Sequence, residues 1–282
     1  SCIDLAKAIS ALHTLYPHET ISKKAVGQAI KNKEYRKPHS FIDIIAVPTT
    51  AGTGSEVTKW ATIWDMDEKV KLSVDCDELF PKVALICPEF TLTMPKRLTL
   101  STGLDALSHA MEAFWAKKRT PLSQELALLA VKKIKEFLPK ALNDGNNLEY
   151  RKEMSLASLI AGLAFSITRT TAAHSMSYPL TIYHNIEHGF AVAATLIKVS
   201  EYNCTAVPEI SSIYSLFGGV DGLKQWFKDI SNDLVDIRLS TFGVTEQDLD
   251  LIVEKSFTEG RIDNNPVTLS KEEIKDILRC AL

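Results

Sequence analysis

A change of period near residue 93 limits this chain more than any other feature. Before it, helical spacing in CIDLAKAISALHTL and ISKKAVGQAIKN alternates with β-rich runs. FIDIIAVP reads as a strand ending in a turn, and KWATIWD and KVKLSVD flank the polar MDE as two arms of an antiparallel hairpin. KVALICP reads as one more buried strand before a proline. From Pro95 onward one amphipathic helix follows another, as in ELALLAVKKIKEFL, where Leu126, Leu129, Ala130, Ile134, Phe137 and Leu138 share a stripe. EMSLASLIAGLAF, GLKQWFKDISNDLVDI, TEQDLDLIVEKSF and KEEIKDILRCAL continue the habit. The pattern predicts an α/β domain over residues 1–92 and an all-helical domain over 93–282, with a ligand cleft between them.

The 282 residues are 45% apolar with a net charge of −3, enough for a sizeable core and without the basic block of a nucleic-acid or membrane-surface binder. No stretch is apolar for long enough to span a bilayer. Cys2, Cys76, Cys87, Cys204 and Cys280 are odd in number, scattered and never paired as CxxC. Reduced, structural thiols in a cytoplasmic protein are the expectation. SCIDLAKAIS begins at a helix cap, Ser1, with Asp4 in the first turn and no strand ahead of it. The first sheet would then lack a strand and its turn, so these residues are expected to continue a longer native protein.

Two stretches carry chemistry. In TGLDALSHAMEAFW, Asp105 and His109 stand four apart and share a face of an apolar helix. They could be metal ligands, or Thr102 and Asp105 could form a capping box while His109 packs in the core. In HSMSYPLTIYHNIEHG, His174 and His188 add two imidazoles. Three histidines and one aspartate suit iron(II) or zinc and leave coordination positions open. The second stretch, IIAVPTTAGTGSEVT, feeds an apolar strand into small, hydroxylated and glycine residues that could approach a phosphate. It lacks the GK[ST] ending of a P-loop.

Taken together, PTTAGTGSE, TGLDALSHAMEAF and the pair His174 and His188-Gly189 resemble the iron-containing (group III) alcohol dehydrogenase family along the whole chain. The resemblance implies metal ligation by Asp105, His109, His174 and His188. It also implies an N-terminal part of a Rossmann-like nucleotide-binding domain, lacking its first βαβ segment, followed by an all-α metal-binding domain. Ser1 to Lys7 look like the tail of the family's GGGSxxDxAK motif, so Ser1 and Asp4 join Thr49, Thr50, Gly52 and Thr53 as implied cofactor contacts, with Lys71 implied at the ribose. NAD and NADP both remain open.

The sequence departs from the family in two places. Tyr178 stands where relatives usually carry a second histidine, and is read either as a proton donor or as a packed aromatic. SITRTTAAH sets Arg169 and the hydroxyls of Thr168, Thr170 and Thr171 before a ligand. Arg169 and Thr171 are candidates for binding an anionic substrate group, resembling the family branch that reduces phosphonoacetaldehyde, although Arg169 could equally face solvent or pair with an internal acid. The implied function is hydride transfer between NAD(P)H and a small aldehyde, with a homodimer left open and neither nucleic acid nor membrane as partner. Enzymes of the glycerol dehydrogenase or dehydroquinate synthase type, and a non-catalytic metal-binding module, are the alternatives. No GxSxG elbow or HExxH motif points to a hydrolase.

Overall fold

A computed structural model describes residues 1–16, 22–37, 40–258 and 260–282. Helix α1 (Cys2–Leu12) starts where Ser1 Oγ accepts from the Asp4 N–H at 3.1 Å, and α2 (Lys23–Lys31) starts at a Ser22 cap. Strand β1 (Ile45–Ala46) precedes the hairpin of β2 (Trp60–Asp65) and β3 (Val70–Asp75), paired antiparallel from Trp60 opposite Asp75 to Asp65 opposite Val70. Strand β4 (Val83–Ala84) lies parallel to β1. The α1, α2 and hairpin elements enclose a small core of Ala8, Ala11, Leu12, Ile30, Tyr35 and Val74.

The helical remainder is built around α3 (Lys96–Trp115), buried on almost every side from Thr99 to its end. It packs against α4 (Pro121–Asn143), α5 (Leu148–Thr168) and α7 (His188–Asn203), while α6 (Ala172–His184) packs on α7. A helix apolar on all faces has no stable place except the centre of such a bundle. The outer helices are α8 (Ile210–Leu216), α9 (Val220–Ser231), α10 (Leu249–Lys255) and α11 (Lys271–Cys280). Among the described residues no single helix is long and apolar enough to cross a membrane.

Several expectations need correction. FIDIIAVP and KVALICP shrink to two residues of strand each, because β1 and β4 pair only with each other among the described residues and leave Ile45 and Val83 exposed. Thr102 does not cap a helix: α3 begins six residues earlier, at Lys96, and the Thr102 hydroxyl donates back to the Leu98 carbonyl at 2.9 Å. The α4 stripe is rotated from the one expected. Leu129 is exposed, while Ala127, Val131 and Ala141 join Ala130, Ile134 and Leu138 in the core.

Two devices fix the local geometry, one within the α/β part and one within the bundle. The buried Lys7 ammonium donates to the carbonyls of Ser55 (2.6 Å), Thr58 (2.7 Å) and Trp60 (3.0 Å), pinning the loop after β1 to α1. Burial lowers its pKa to about 8 against the pull of Asp4 and Glu56. At the other end, Gly189 in the first turn of α7 lets that helix touch α3: a Cβ there would lie 1.9 Å from the Ser101 carbonyl oxygen. Gly189→Ala must therefore push α7, and the adjacent His188, away from α3. We expect it to lose about 2 to 3 kcal/mol in denaturant titration; an unchanged midpoint would show that α7 can shift freely.

Candidate metal centre

Asp105 and His109 are one turn apart on α3, His174 lies in the first turn of α6, and His188 opens α7. Three helices thus bring four side chains together: ligand atoms of Asp105, His109 and His174 all lie within 4.8 Å of one another, and His188 approaches the group at Asp105. The Nε2 atoms of His174, His188 and His109 lie 3.5, 3.8 and 3.9 Å from Asp105 Oδ1. Ligand atoms about 2.1 Å from a shared ion in a tetrahedron sit roughly 3.4 Å apart. Asp105, His109 and His174 are buried, and the His188 side chain is one-third exposed.

Each ring is aimed by what holds its other nitrogen. His109 Nδ1 bonds the Gly52 carbonyl at 3.2 Å, and the ring stacks on Phe165 at 4.2 Å. His188 Nδ1 lies 3.5 Å from Ser177 Oγ. His174 Nδ1 bonds the carboxylate of Glu112, which is fully buried. The same carboxylate accepts from Thr171 Oγ1 (2.7 Å) and the backbone N–H of Ala173 (2.9 Å) at the start of α6, where helix N–H groups favour an anion. Glu112 is the residue that sequence reasoning missed. Its signal was present: Asp105, His109 and Glu112 fall at intervals of four and three along one face of α3.

The donor set fits a divalent cation. Asp105 Oδ1 and His174 Nε2 are buried with no hydrogen-bond partner, each an uncompensated cost on the order of 1 to 3 kcal/mol. Burial works against the Asp105 carboxylate, but the three rings hold its pKa below the usual range. Burial brings His109 and His188 down to about 4. Burial opposes charge on His174 as well, yet Glu112 and Asp105 raise it to about 10. At neutral pH two carboxylates thus face one imidazolium, leaving one net negative charge. A divalent cation that displaced the His174 proton would leave the cluster neutral.

These residues line a cavity of about 220 Å³. Ser1, Asp4 and Thr53 line it, with Asp4 Oδ1 accepting from Ser55 Oγ at 2.6 Å. Thr49 and Thr50 lie on the same loop but outside the lining, and Gly52 reaches the site through its bond to His109. Tyr178 lines the cavity parallel to the His188 ring at 6.2 Å, with Lys71 Nζ 3.7 Å above its face. Burial raises the phenol's pKa, but Lys71 and Arg261 outweigh it and bring it to about 7.

Arg169 and Thr171 are not in the cavity lining. The Arg169 guanidinium pairs with Asp75 of β3 and lies over Trp60, and the Thr171 hydroxyl is engaged by Glu112 and by Trp115 Nε1 at 3.0 Å. Both are scaffold contacts. Thr170 and Arg261 line the cavity instead.

Residues 1–88 match the family described as iron-containing alcohol dehydrogenase, and residues 99–282 match the C-terminal part of the Fe-containing alcohol dehydrogenase family. The NAD-dependent methanol dehydrogenase of Bacillus methanolicus is 32% identical over 288 residues, covering 94% of this chain and 74% of that protein. A solved structure of sulfoacetaldehyde reductase from Bifidobacterium kashiwanohense in complex with NAD+ aligns with a TM-score of 0.85 at 32% identity, covering 99% of this chain and 73% of that one. For an iron-containing alcohol dehydrogenase from Thermotoga maritima the TM-score is 0.83 and the identity 35%, over 99% of this chain and 72% of that one. With both halves matched and relatives aligned along nearly its whole length, this chain belongs to the iron-containing alcohol dehydrogenase family.

Proposed function

We propose that the chain is a metal-dependent oxidoreductase that interconverts a small aldehyde and its alcohol with NAD or NADP. The observation that carries this reading is Asp105 Oδ1 with three imidazole Nε2 atoms around it, Oδ1 and the His174 Nε2 being buried and unpartnered. In it, residues 1–92 form the nucleotide side of the cleft and residues 93–282 the metal side. Asp105, His109, His174 and His188 would hold iron(II) or zinc. The hydroxyls of Ser1 and Thr53, which line the same cavity as those ligands, suit a nicotinamide riboside; Lys71 lies outside that lining, against the Tyr178 ring. A substrate with an anionic group, phosphonate included, is our preferred class. Supporting it, the structurally similar reductase from Bifidobacterium kashiwanohense is named for an aldehyde that carries a sulfonate.

Bound there, the divalent ion supplies a Lewis acid for the substrate oxygen and the nicotinamide supplies the hydride. The chain's own residues do the rest. Glu112 fixes the His174 ring so that Nε2 faces the cluster, as partners of metal-bound histidines do. Phe165, Trp60 and Trp64 wall the cavity with aromatic surface and limit water at the reacting carbon. Tyr178 Oη holds a proton whose acidity Lys71 and Arg261 place near neutrality, suited to exchange with the substrate oxygen.

The intact protein, loaded anaerobically with iron(II), is expected to oxidise NADH or NADPH in the presence of small aldehydes, and to lose that activity with a chelator or with Asp105→Asn. A protein that keeps no metal and consumes no reduced cofactor with any aldehyde would end the proposal. Glu112→Gln should weaken metal binding about ten- to a hundredfold in competition with a metal indicator while the fold persists. Metal uptake should also depend on pH in a defined direction. His174 is protonated below about 10 and binding must displace that proton, so affinity should rise close to tenfold per pH unit between about pH 6 and pH 9. A flat profile would show that Nε2 is already free at neutral pH.

A further inference from the structure

The connection between α5 and α6 takes a backbone conformation that its sequence does not favour. Thr168 ends α5, Ala172 begins α6, and the two helices are bent 108° to one another across the three residues between them. Arg169, the first of those three, has φ 65° and ψ 175°, a region that essentially only glycine enters without a clash at Cβ. A glycine there would bend the chain at no steric cost. An arginine persists in that conformation only where its surroundings hold it.

Thr168 Oγ1 donates to the Arg169 carbonyl at 2.9 Å, and Asn264 Nδ2 donates to the carbonyls of Thr168 (2.8 Å) and Thr170 (3.1 Å). Three carbonyls of the bend are thus met. The side chain supplies the anchor against rotation: its guanidinium pairs with Asp75 of β3 and lies 5.4 Å over the Trp60 ring of β2. Lys59 faces the other oxygen of Asp75 at 3.7 Å, so the carboxylate sits between two cations. Trp60 and Asp75 are opposite one another in the ladder, at the open end of the hairpin. That end reaches two ligands by separate routes. Trp60 stacks on Phe165 at 5.7 Å, and Phe165 on His109 at 4.2 Å. Asp75 holds Arg169, five residues before His174 in the first turn of α6. Rotation at Arg169 swings α6 as a body, and His174 with it.

We propose that Arg169 is a positioning residue: anchored to Asp75 and Trp60, it holds the bend between α5 and α6 in a strained form that sets the direction of α6, and so fixes where His174 Nε2 meets a divalent ion. This rests on the metal-centre reading above. The arginine is outside the cavity lining, and its effect passes through the helix. The hairpin and the metal centre are coupled in consequence, because what fixes Asp75 also fixes His174.

Competition for cobalt(II) against a metal indicator, with thermal melting of the metal-free form, separates positioning from stability in the intact protein. Arg169→Ala keeps the strained backbone and loses the anchor, whereas Arg169→Gly loses both. The alanine variant should melt roughly 3 to 6 °C below the glycine variant. Both should nevertheless bind cobalt(II) about tenfold more weakly than wild type. Asp75→Asn, with the arginine intact, should show the same loss, and adding Arg169→Gly to it should cost little more. Wild-type affinity in Arg169→Gly would overturn the proposal by tying any loss in the alanine variant to stability. Wild-type affinity in Asp75→Asn would overturn it by leaving the anchor without effect, and equal melting of the alanine and glycine variants by showing that the bend stores no strain.

A second measurement needs no metal. The His174 Nδ1 proton bonded to Glu112 should give a downfield proton resonance in the metal-free protein, sharp in wild type and broadened in Arg169→Gly. If wild type takes up no cobalt(II), the metal-centre reading falls and this resonance decides the role of Arg169. Broadening would leave the positioning of His174 standing, and an unchanged resonance would end it.

Discussion

The structure depends on one buried carboxylate, Asp105, and on what is arranged to face it. An ionised carboxylate at the centre of an all-helical bundle is expensive unless its charge is met. Here the charge is met by three imidazoles from α3, α6 and α7, one of them held as a cation by Glu112. The need for that meeting explains much of the bundle's geometry. Thr171, Ala173 and Trp115 make polar contacts with Glu112 or with one another, so the start of α6 is fastened to α3 where His174 must point. Gly189 does the equivalent for α7 by removing the atom that would keep His188 at a distance.

The α/β part contributes the opposite wall and is fastened by the same kind of interaction. Lys7 gathers three carbonyls of the loop and hairpin after β1, and the loop in turn presents the Gly52 carbonyl to His109. A buried lysine that satisfies backbone acceptors stabilises a segment with no regular structure of its own. The cavity is therefore lined by Asp105 and three histidines from the bundle and by hydroxyls from the α/β part, and the two parts meet through the Gly52–His109 hydrogen bond and through Ala51 and Trp60 packed into the bundle core. That division suits a reaction in which the cofactor and the activated substrate oxygen approach from different elements.

Much of this was legible from residue order. The change of period separated the α/β part from the helices, and the hairpin around MDE followed from alternation. The four-residue step from Asp105 to His109 could be assigned to one face because helical spacing is local. Where sequence reasoning erred, the deciding partner was mostly distant. Thr102 is the local case: its hydroxyl suits a helix start, although the helical pattern already runs from Pro95. Leu129 looked like core because a stripe drawn on one helix does not say which neighbours cover it. Strands β1 and β4 were drawn too long because a ladder's length is set by the partner strand.

The helical bundle, the residue types able to ligate a metal and the glycine-rich turn follow from residue order alone, since each is a matter of periodicity or composition within a few residues. Which side chains share the cavity depends on partners that only folding brings together. Arg169 and Thr171 were the arginine and hydroxyl nearest His174 in the chain, yet Asp75, 94 residues before Arg169, and Glu112, 59 before Thr171, take them out of the site. Thr170 and Arg261, 91 positions apart in the chain, line that cavity instead. Adjacent residues point to opposite sides of an irregular segment, and the partners that claim one side arrive from elsewhere in the fold.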